Sequence, residues 1–413
     1  MRTLATKIFM LVAAMLFALP PCAFAAQPLD STTVVSVLVC DPGRDIYELE
    51  GHAALRIRNS ATDYAVNWGL FDFEAPNFVY RFVKGETDYM AGAIPTPMFV
   101  DYYRAQGRKV TELVLDLTPE ECARIVDAVN INLQPQNRTS RYNYVKDNCS
   151  TRPLAIIEKS LADTLTLAPA PATLTGQPAT FRNTMRRHHA NYPWYQFGID
   201  LALGSGIDYP LNPREAAFAP TALLTMLEGA TAGNRRLVSD INVMTPGESV
   251  IAPPTPWYLT PLCVFCVLFA LCTLITLADL SRRKVTRWFD AVLFSAFGIT
   301  GCILAFLVFV SSHEATSPNW LLLWLNPLCL LVPVCIWFRR ASGFLICYQF
   351  VNFAAVIAAI ILMPIMNQSF NWAFIPLAAC DIMRSLSYIH ITRCERKRKN
   401  LYRIRYSGSF SSR

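Results

Sequence analysis

Five apolar segments follow one another in the C-terminal part of this 413-residue chain, and they constrain its fold more than any other feature. They occupy residues 257–277, 291–310, 320–338, 344–364 and 372–391. Each is close to the ~20 residues that a helix needs to cross the hydrocarbon core of a bilayer. Three of them begin with tryptophan (Trp257, Trp320 and Trp372), a residue enriched at membrane interfaces. The sequence therefore predicts an all-α, five-helix transmembrane domain over residues 251–392.

The basic residues of this region alternate from loop to loop. They lie in the loop 281–288, in the turn at Arg339 and Arg340 and in the tail 393–413, whereas the loops 311–319 and 367–371 contain no Lys or Arg. Because Lys and Arg are retained on the cytoplasmic side, this alternation predicts five crossings with a basic cytoplasmic tail. The formal charge of +7 then reflects topology and attraction to anionic lipid heads. It does not favour a nucleic-acid partner.

The N-terminus is typical of a secretory signal peptide at residues 1–25. Arg2 and Lys7 precede an apolar run at 8–19, and small residues then lead to a cleavage site after Ala25. An uncleaved membrane anchor is the alternative, and the short apolar run argues against it. The domain that follows should therefore lie outside the cytoplasm.

The exported part is predicted to be an α+β domain at 26–165, followed by a helical extension and linker at 166–250. Strands are predicted at residues 32–40, 52–58, 64–69 and 109–117, the second and third of them forming a hairpin. Thr118 and Glu121 have the spacing of a capping box that starts a helix. A second helix is predicted directly after Cys149.

Three cysteines belong to the exported domain: Cys40, Cys122 and Cys149. In an oxidising compartment this odd number allows one disulfide and one free thiol. Cys40 and Cys122 can equally be two separate buried thiols. Both alternatives leave Cys149 without a disulfide partner.

Cys149 lies in the polar and aromatic stretch RYNYVKDNCSTR and is predicted to open a helix. A helix N-terminus stabilises a thiolate, lowers its pKa and offers N–H groups to an oxyanion. His52, on the predicted sheet, is the candidate base. Asn67, on the neighbouring hairpin strand, is best placed to orient it, and Asp72 is second. Cys–His–polar is a complete nucleophilic arrangement; the alternative is a structural cysteine and an ordinary hydrogen-bonded histidine.

The order of these residues, with His on a strand, a polar residue on the next strand and Cys on a helix, resembles the circularly permuted papain-like fold. That fold occurs in lecithin:retinol acyltransferase-like enzymes and in permuted relatives of the cell-wall peptidases. The stretches GHAALRI, NWGLFDFEAPNFVYRFVKGETDYM, LDLTPEE, YNYVKDNCSTR and FGIDLALG resemble more closely the periplasmic domain of the Lnb-type lipoprotein N-acyltransferases. HEATSPNWLLLWLNPL and the five helices resemble that family's membrane domain.

The resemblance implies transfer of an acyl chain from a membrane phospholipid, through a cysteine thioester, to the α-amine of the diacylglyceryl-cysteine of lipoproteins. Cys149 would be the nucleophile and His52 the general base, whereas Asn67 as third member is inferred from the hairpin alone. The expected location is a bacterial inner membrane, with the catalytic domain in the periplasm. The expected partners are phospholipid and lipoprotein, with no cofactor, metal or nucleic acid.

Four further residues are candidates for substrate binding: Asp72, Arg152, His313 and Asn319. His313, Glu314 and Asn319 belong to an outer loop, where they are candidates for binding a phospholipid headgroup or the lipoprotein. An ordinary polar loop is the alternative for that segment.

Two other charged groups carry an expectation. The segment from Arg186 to His189 is expected near anionic lipid heads. Asp381 and Arg384, three residues apart in the fifth apolar segment, are predicted to form an ion pair inside the bundle.

Two other classes of function remain open from the residues alone. One is a membrane-anchored Cys/His peptidase or amidase that acts on the cell wall. The other is a non-enzymatic envelope module in which Cys149 is structural.

Overall fold

The computed structural model describes residues 32–171, 178–247, 250 and 252–408, with the backbone alone from 400 onwards. The signal peptide predicted at 1–25 lies outside the described residues. So does part of the linker predicted within 166–250.

An antiparallel sheet organises the exported domain. In the part of the chain that the structure describes it has seven strands: β1 (Val34–Cys40), β2 (His52–Arg58), β3 (Asp63–Leu70), β4 (Asp88–Pro95), β5 (Val110–Leu115), β6 (Thr139–Arg141) and β10 (Val238–Thr245). Their order across the sheet is β10-β5-β1-β2-β3-β4-β6. The central position of β1 explains its nearly unbroken apolar sequence, because both of its faces are covered.

Helices cover the two faces of this sheet. Those of the exported domain are α1 (Phe78–Lys84), α2 (Thr96–Ala105), α3 (Pro119–Leu133), α4 (Thr151–Ser160), α5 (Phe181–His188), α6 (Pro193–Ala202), α7 (Pro213–Ala216) and α8 (Pro220–Glu228). The apolar side of α2 packs on one face through Phe99 and Tyr103. On the other face α3, α4 and α8 contribute Ile125, Leu154 and Leu223 to the larger core.

Several local predictions for this domain are confirmed. Strands β2 and β3 form the expected hairpin. Helix α3 begins with the predicted capping box, in which the Thr118 hydroxyl accepts from the Glu121 N–H at 3.2 Å. Cys40 and Cys122 are both buried and free, so the alternative of two separate thiols is the one that the structure supports.

The predicted helical extension also contains β-strands, which the sequence analysis did not predict. It contributes β10, which pairs with β5 at the edge of the main sheet. It also contributes two strands to a small second sheet of β7 (Leu165–Thr166), β8 (Thr231–Ala232) and β9 (Arg235–Arg236). The extension is therefore packed into the same domain as the predicted catalytic part.

The C-terminal domain is helical. Its α-helices are α9 (Pro261–Arg282), α10 (Arg287–Phe309), α11 (Leu331–Cys335), α12 (Ser342–Leu362) and α13 (Phe374–Gly408). Within the described residues three stretches are long and apolar enough to cross a membrane: Pro261–Arg282, Arg287–Phe309 and Arg339–Leu362.

The third predicted segment is not one continuous helix. It is divided into the 3-10 turns Trp320–Leu323 and Pro327–Leu330 and the short helix α11. The break lies at residues 324–326, directly before Pro327, because proline donates no backbone hydrogen bond and clashes with the preceding turn. Pro333 lies inside α11. The number of five membrane helices stays a prediction.

The predicted Asp381–Arg384 ion pair is wrong. Arg384 is fully buried and pairs with Asp279 at 2.7 Å and with Asp290 at 2.5 Å, both on other helices. Asp381 instead accepts hydrogen bonds from Asn352 and Ser385. Inside an apolar bundle, two carboxylates around one guanidinium satisfy more of its donors than one neighbouring carboxylate can.

The exported domain contacts the two loops of the membrane domain that contain no Lys or Arg, residues 311–319 and 367–371. The Ser312 N–H donates to the Lys84 carbonyl at 2.8 Å, at the end of α1. The Asn371 side chain donates to Asp200 of α6 at 2.9 Å. Both loops thus face the exported domain, as the predicted topology requires.

Candidate active site

Cys149 lies in the turn before α4 and not in the helix. Helix α4 begins at Thr151 with Ser150 as N-cap, so Cys149, which was predicted to open the helix, lies one residue before the N-cap. The side chain of Asn148 supplies the capping oxygen. Its Oδ1 accepts from the N–H groups of Ser150 at 2.9 Å and Thr151 at 3.0 Å.

The amide nitrogen of Asn148 anchors the same turn on its other side. It donates to the carbonyl of Tyr144 at 2.8 Å and to that of Phe218 at 3.0 Å. Asn148 makes these four hydrogen bonds while only 8% of its surface is exposed. A buried, fully bonded amide is a rigid support, so the asparagine that precedes Cys149 in the sequence holds the turn in place.

Asp147 stabilises the approach to this turn. It accepts from the Tyr89 hydroxyl at 2.7 Å and pairs with the guanidinium of Arg152 through both of its oxygens. Arg152, a predicted substrate-binding residue, is thus engaged within the protein.

The thiol of Cys149 lies against the sheet. The backbone N–H of Ala53, in the peptide that follows His52, is close enough to the thiol to lower its pKa. A β-bulge between Trp68 and Leu70 places Gly69 opposite, at a φ of 100°, and a Cβ there would lie 3.9 Å from the Cβ of Cys149. The cysteine is therefore held against β2 and β3, the two strands that carry the candidate base and its partner.

His52 and Asn67 are in direct contact: Nε2 of the imidazole lies 3.0 Å from the amide Oδ1. The amide orientation follows from its other bond, in which Nδ2 donates to the Ala65 carbonyl at 3.1 Å. Oδ1 can only accept, so Nε2 of His52 carries the proton and Nδ1 keeps a free lone pair. This is the tautomer that a general base needs, and the predicted pairing of His52 with Asn67 agrees with the geometry.

Gly51 sets where the strand of His52 begins. Its φ is 88°, and a Cβ at this position would lie 2.4 Å from the Cys40 carbonyl oxygen. Only glycine satisfies both conditions, which explains the GH pair in the sequence.

Aromatic rings and a cation surround the imidazole. The rings of Tyr103 and Phe99 lie 6.4 Å from it, and the buried Arg108 guanidinium lies over Tyr103. Burial lowers the pKa of His52 to about 4, the Asn67 bond opposes this shift and the Arg108 charge adds to it. His52 is thus neutral at physiological pH and ready to accept a proton.

The predicted lowering of the Cys149 pKa is wrong. Burial raises the pKa of the thiol to about 11, the Ala53 N–H opposes this and the charge of Glu50 adds to it. Because the cysteine precedes the helix and is half-buried against the sheet, desolvation outweighs the helix dipole. Both the thiol and the imidazole are therefore neutral at rest. A Cys149 that acts as a nucleophile would have to lose its proton as it attacks.

A buried polar group beside Cys149 was not found from the sequence. Glu50 Oε1 accepts from the Tyr144 hydroxyl at 2.5 Å and from His189 Nε2 at 2.8 Å. His189 is fully buried and its second nitrogen lies 2.8 Å from Gln196. Its expected position near lipid heads is therefore wrong. In the sequence, the one sign of a role for Glu50 is its position directly before Gly51 and His52.

Two neighbours of His189 on α5 also have partners within the protein. Arg186 pairs with Asp200 at 3.0 Å and donates to Ser369 of the membrane domain at 2.7 Å. His188 lies 3.2 Å from the Thr221 hydroxyl.

Three other predicted site residues lie apart from the Cys–His–Asn group. Asp72 is exposed, accepts from the Glu74 N–H and lines a surface cavity. His313 bonds to the Phe82 carbonyl of α1 at 2.7 Å. Asn319 is buried and donates to the Leu201 carbonyl of α6 at 2.8 Å. His313 and Asn319 thus join the two domains.

Two family descriptions match the chain in sequence order. Residues 22–187 match the Lnb N-terminal periplasmic domain, and residues 254–397 match the Lnb transmembrane domain. Comparisons with curated proteins and with solved structures gave no match. The two matched regions contain the Cys–His–Asn group and the helical domain on which it is seated.

Proposed function

The chain belongs to the Lnb family, and from that premise we propose that it is a lipoprotein N-acyltransferase. It would move an acyl chain from a membrane phospholipid to the α-amine of the diacylglyceryl-cysteine of a lipoprotein. The observation that carries this proposal is a histidine of defined tautomer on strands against which the Cys149 side chain lies, in a domain that packs on a membrane domain. No cofactor is required for such a transfer.

We further propose that the exported domain is a circularly permuted papain-like fold. The antiparallel sheet, the order His52, Asn67, Cys149 and the Asn67–His52 hydrogen bond support this assignment. The helix that follows the cysteine packs on the sheet as that fold requires.

In the first half-reaction the Cys149 thiol attacks the ester carbonyl of a phospholipid. His52 Nδ1 takes the thiol proton as the S–C bond forms. The backbone N–H groups of Cys149 and Ala53, which both lower the pKa of the thiol, would hold the oxyanion. The ester C–O bond then breaks, and the lysophospholipid alkoxide leaves with the proton from His52. An acyl thioester on Cys149 remains.

In the second half-reaction the α-amine of the lipoprotein attacks the thioester carbonyl. His52 takes a proton from the attacking nitrogen, the C–S bond breaks, and the Cys149 thiolate recovers that proton. The product is an amide, and the thiol is regenerated. Water must be excluded in the interval, because hydrolysis would release the acyl chain as free fatty acid.

An apolar route from the membrane domain to the cysteine supports a lipid substrate. Helix α1 exposes its apolar side chains, with Val79 73% exposed, and Tyr80 contacts Phe306 of α10 at 6.1 Å between ring centroids. From α1 the aromatic contacts continue through Phe71 to Tyr142, at 4.9 Å, beside Cys149. A soluble peptide substrate would not need this row of rings.

We propose that the membrane domain lies in a bacterial inner membrane and crosses it five times, with α13 and the divided third segment as the two remaining crossings. The contacts between the exported domain and the two loops that contain no Lys or Arg support an outer position for those loops. In a chain with its exposed native cysteines replaced by serine, a membrane-impermeant thiol label should reach Ser369→Cys and not Ser281→Cys. Labelling of Ser281→Cys in intact spheroplasts would contradict the topology.

The proposed activity can be tested with the purified full-length protein, phospholipid and a diacylated lipopeptide. We expect triacylated lipopeptide and lysophospholipid in equal amounts, because one acyl chain leaves the donor for each amide formed. Without lipopeptide, an acyl group should accumulate on Cys149, measurable by mass and released by hydroxylamine.

An acetylated lipopeptide serves as the control, since it offers no amine and should leave the acyl-enzyme intact. Release of fatty acid alone, or cleavage of peptidoglycan with the lipopeptide unchanged, would contradict the proposal. The second outcome would indicate a cell-wall peptidase or amidase instead.

A further inference from the structure

Glu50 is a buried carboxylate that the two half-reactions leave unused. Its side chain is 12% exposed and precedes Gly51 and His52 at the start of β2. It reaches the cysteine turn from the other side through Tyr144, whose carbonyl accepts from Asn148 and whose hydroxyl bonds to the carboxylate. Glu50 therefore belongs to the immediate surroundings of the thiol.

The bonds of Glu50 keep it ionised and leave one of its oxygens available. Burial opposes its charge, but the hydrogen bonds from His189 and Tyr144 outweigh burial and hold the pKa of Glu50 below its ordinary value. Both donors bond to Oε1. Among the described residues no donor is bonded to Oε2. Oε2 is also not one of the polar atoms that are fully buried without a hydrogen-bond partner.

A negative charge at this point works against the first half-reaction. The charge of Glu50 raises the pKa of the Cys149 thiol and so disfavours the thiolate that attacks the ester. Once the thioester has formed, the sulfur carries no charge and this penalty disappears. The negative charge of Glu50 then no longer opposes a thiolate, and it can attract a cationic group to the acyl-enzyme.

We propose that Oε2 of Glu50 binds the α-ammonium group of the lipoprotein acceptor and thereby selects an amine over water in the second half-reaction. This inference rests on the proposed function. The bound ammonium releases one proton to solvent and attacks as the free amine. The N–C bond forms, the second proton passes through His52 to the leaving thiolate of Cys149, and the C–S bond breaks. The net products are the amide, the thiol and one released proton.

The test compares two nucleophiles on the preformed acyl-enzyme. In Glu50→Gln we expect transfer to the diacylated lipopeptide to fall at least about tenfold, mainly through a higher KM, because a charge-assisted hydrogen bond is lost. Cleavage by hydroxylamine, which is uncharged at neutral pH, should stay within about twofold of wild type. Glu158→Gln, at an exposed carboxylate of α4 that pairs with Arg214, is the matched control and should leave both rates unchanged.

Equal losses with both nucleophiles, or no loss with the lipopeptide, would overturn the inference. If Glu50→Gln does not fold, a measurement on the wild-type protein tests the same inference. A lipopeptide with a dimethylated, cationic α-amine should compete with the acceptor, whereas the neutral acetylated form should compete at least about tenfold less. Equal competition would also overturn the inference. A wild type that forms no acyl-enzyme would overturn the proposed function itself, and this inference with it.

Discussion

Replacing Cys149 by alanine is expected to reduce lipopeptide triacylation by more than about 10⁴-fold, while the protein stays folded and membrane-inserted. The loss is large because, in the proposed mechanism, Cys149 carries the acyl chain between donor and acceptor. The fold should persist because the turn is held by the four hydrogen bonds of Asn148 and not by the thiol. The measurement is the yield of triacylated lipopeptide by mass spectrometry, with thermal unfolding of the variant beside it.

Cys122→Ala is the matched control for this prediction. Cys122 is a buried thiol of the same domain, on α3, where its sulfur lies 3.8 Å from the Thr33 carbonyl oxygen. Its replacement should leave transfer within about threefold of wild type, because it removes a small packed group that does not belong to the Cys–His–Asn group. Retention of activity in Cys149→Ala would show that the nucleophile has been assigned wrongly.

The pairing of His52 with Asn67 was predictable because both residues are tied to one hairpin. A short turn between two strands restricts their register, and the residues near the open end of the hairpin must then lie close together. The capping box at Thr118 was predictable for a similar reason, since both of its partners lie within one helical turn. Local chemistry therefore gave the candidate base and its orienting partner.

The environment of the thiol was not predictable in this way. The contact between Glu50 and His189 joins positions 139 residues apart, and no local pattern encodes it. The pKa of Cys149 depends on how many groups enclose it, which is a property of the complete fold. A helix-start argument considers one neighbouring element only, and it gave the wrong direction of the shift.

Hydropathy likewise located the membrane domain but did not predict how its helices and buried charges are arranged. The third apolar segment has the length and composition of a crossing, but a break at residues 324–326, before Pro327, divides it. Arg384 pairs with Asp279 and Asp290 on two other helices. The sequence analysis had instead paired it with Asp381, three residues away along the chain. Apolar length reports transfer into lipid, and it contains no information about which buried charges meet.

Replacing His52 by alanine is expected to slow acylation of Cys149 by about 10²- to 10⁴-fold at neutral pH and to change the pH dependence. In the wild type the imidazole is neutral above a pKa of about 4 and the thiol is protonated below about 11. Base-assisted attack should therefore proceed at a level rate between these two values. The measurement is the rate of acyl-enzyme formation from phospholipid as a function of pH.

Without His52 only the thiolate that forms by itself can attack. Its fraction rises about tenfold per pH unit up to the pKa of Cys149, so the rate of His52→Ala should climb steadily with pH and approach the wild-type rate near pH 11. Removal of a neutral imidazole takes no charge away from the thiol, and the pKa of Cys149 should therefore stay high. Asn67→Ala should keep the level profile with a loss of about tenfold, because the base is present but free to rotate.

His188→Gln, a histidine whose ring nitrogen lies 3.2 Å from the Thr221 hydroxyl, is the control and should retain both the rate and the level profile. A level profile in His52→Ala at a rate close to wild type would contradict the assignment of His52 as base. A wild-type rate that itself rises tenfold per pH unit would contradict proton transfer during attack, because it would mean that the thiolate forms before the imidazole is involved. The slope of rate against pH thus separates a base that acts in the transition state from a histidine that only packs beside the thiol.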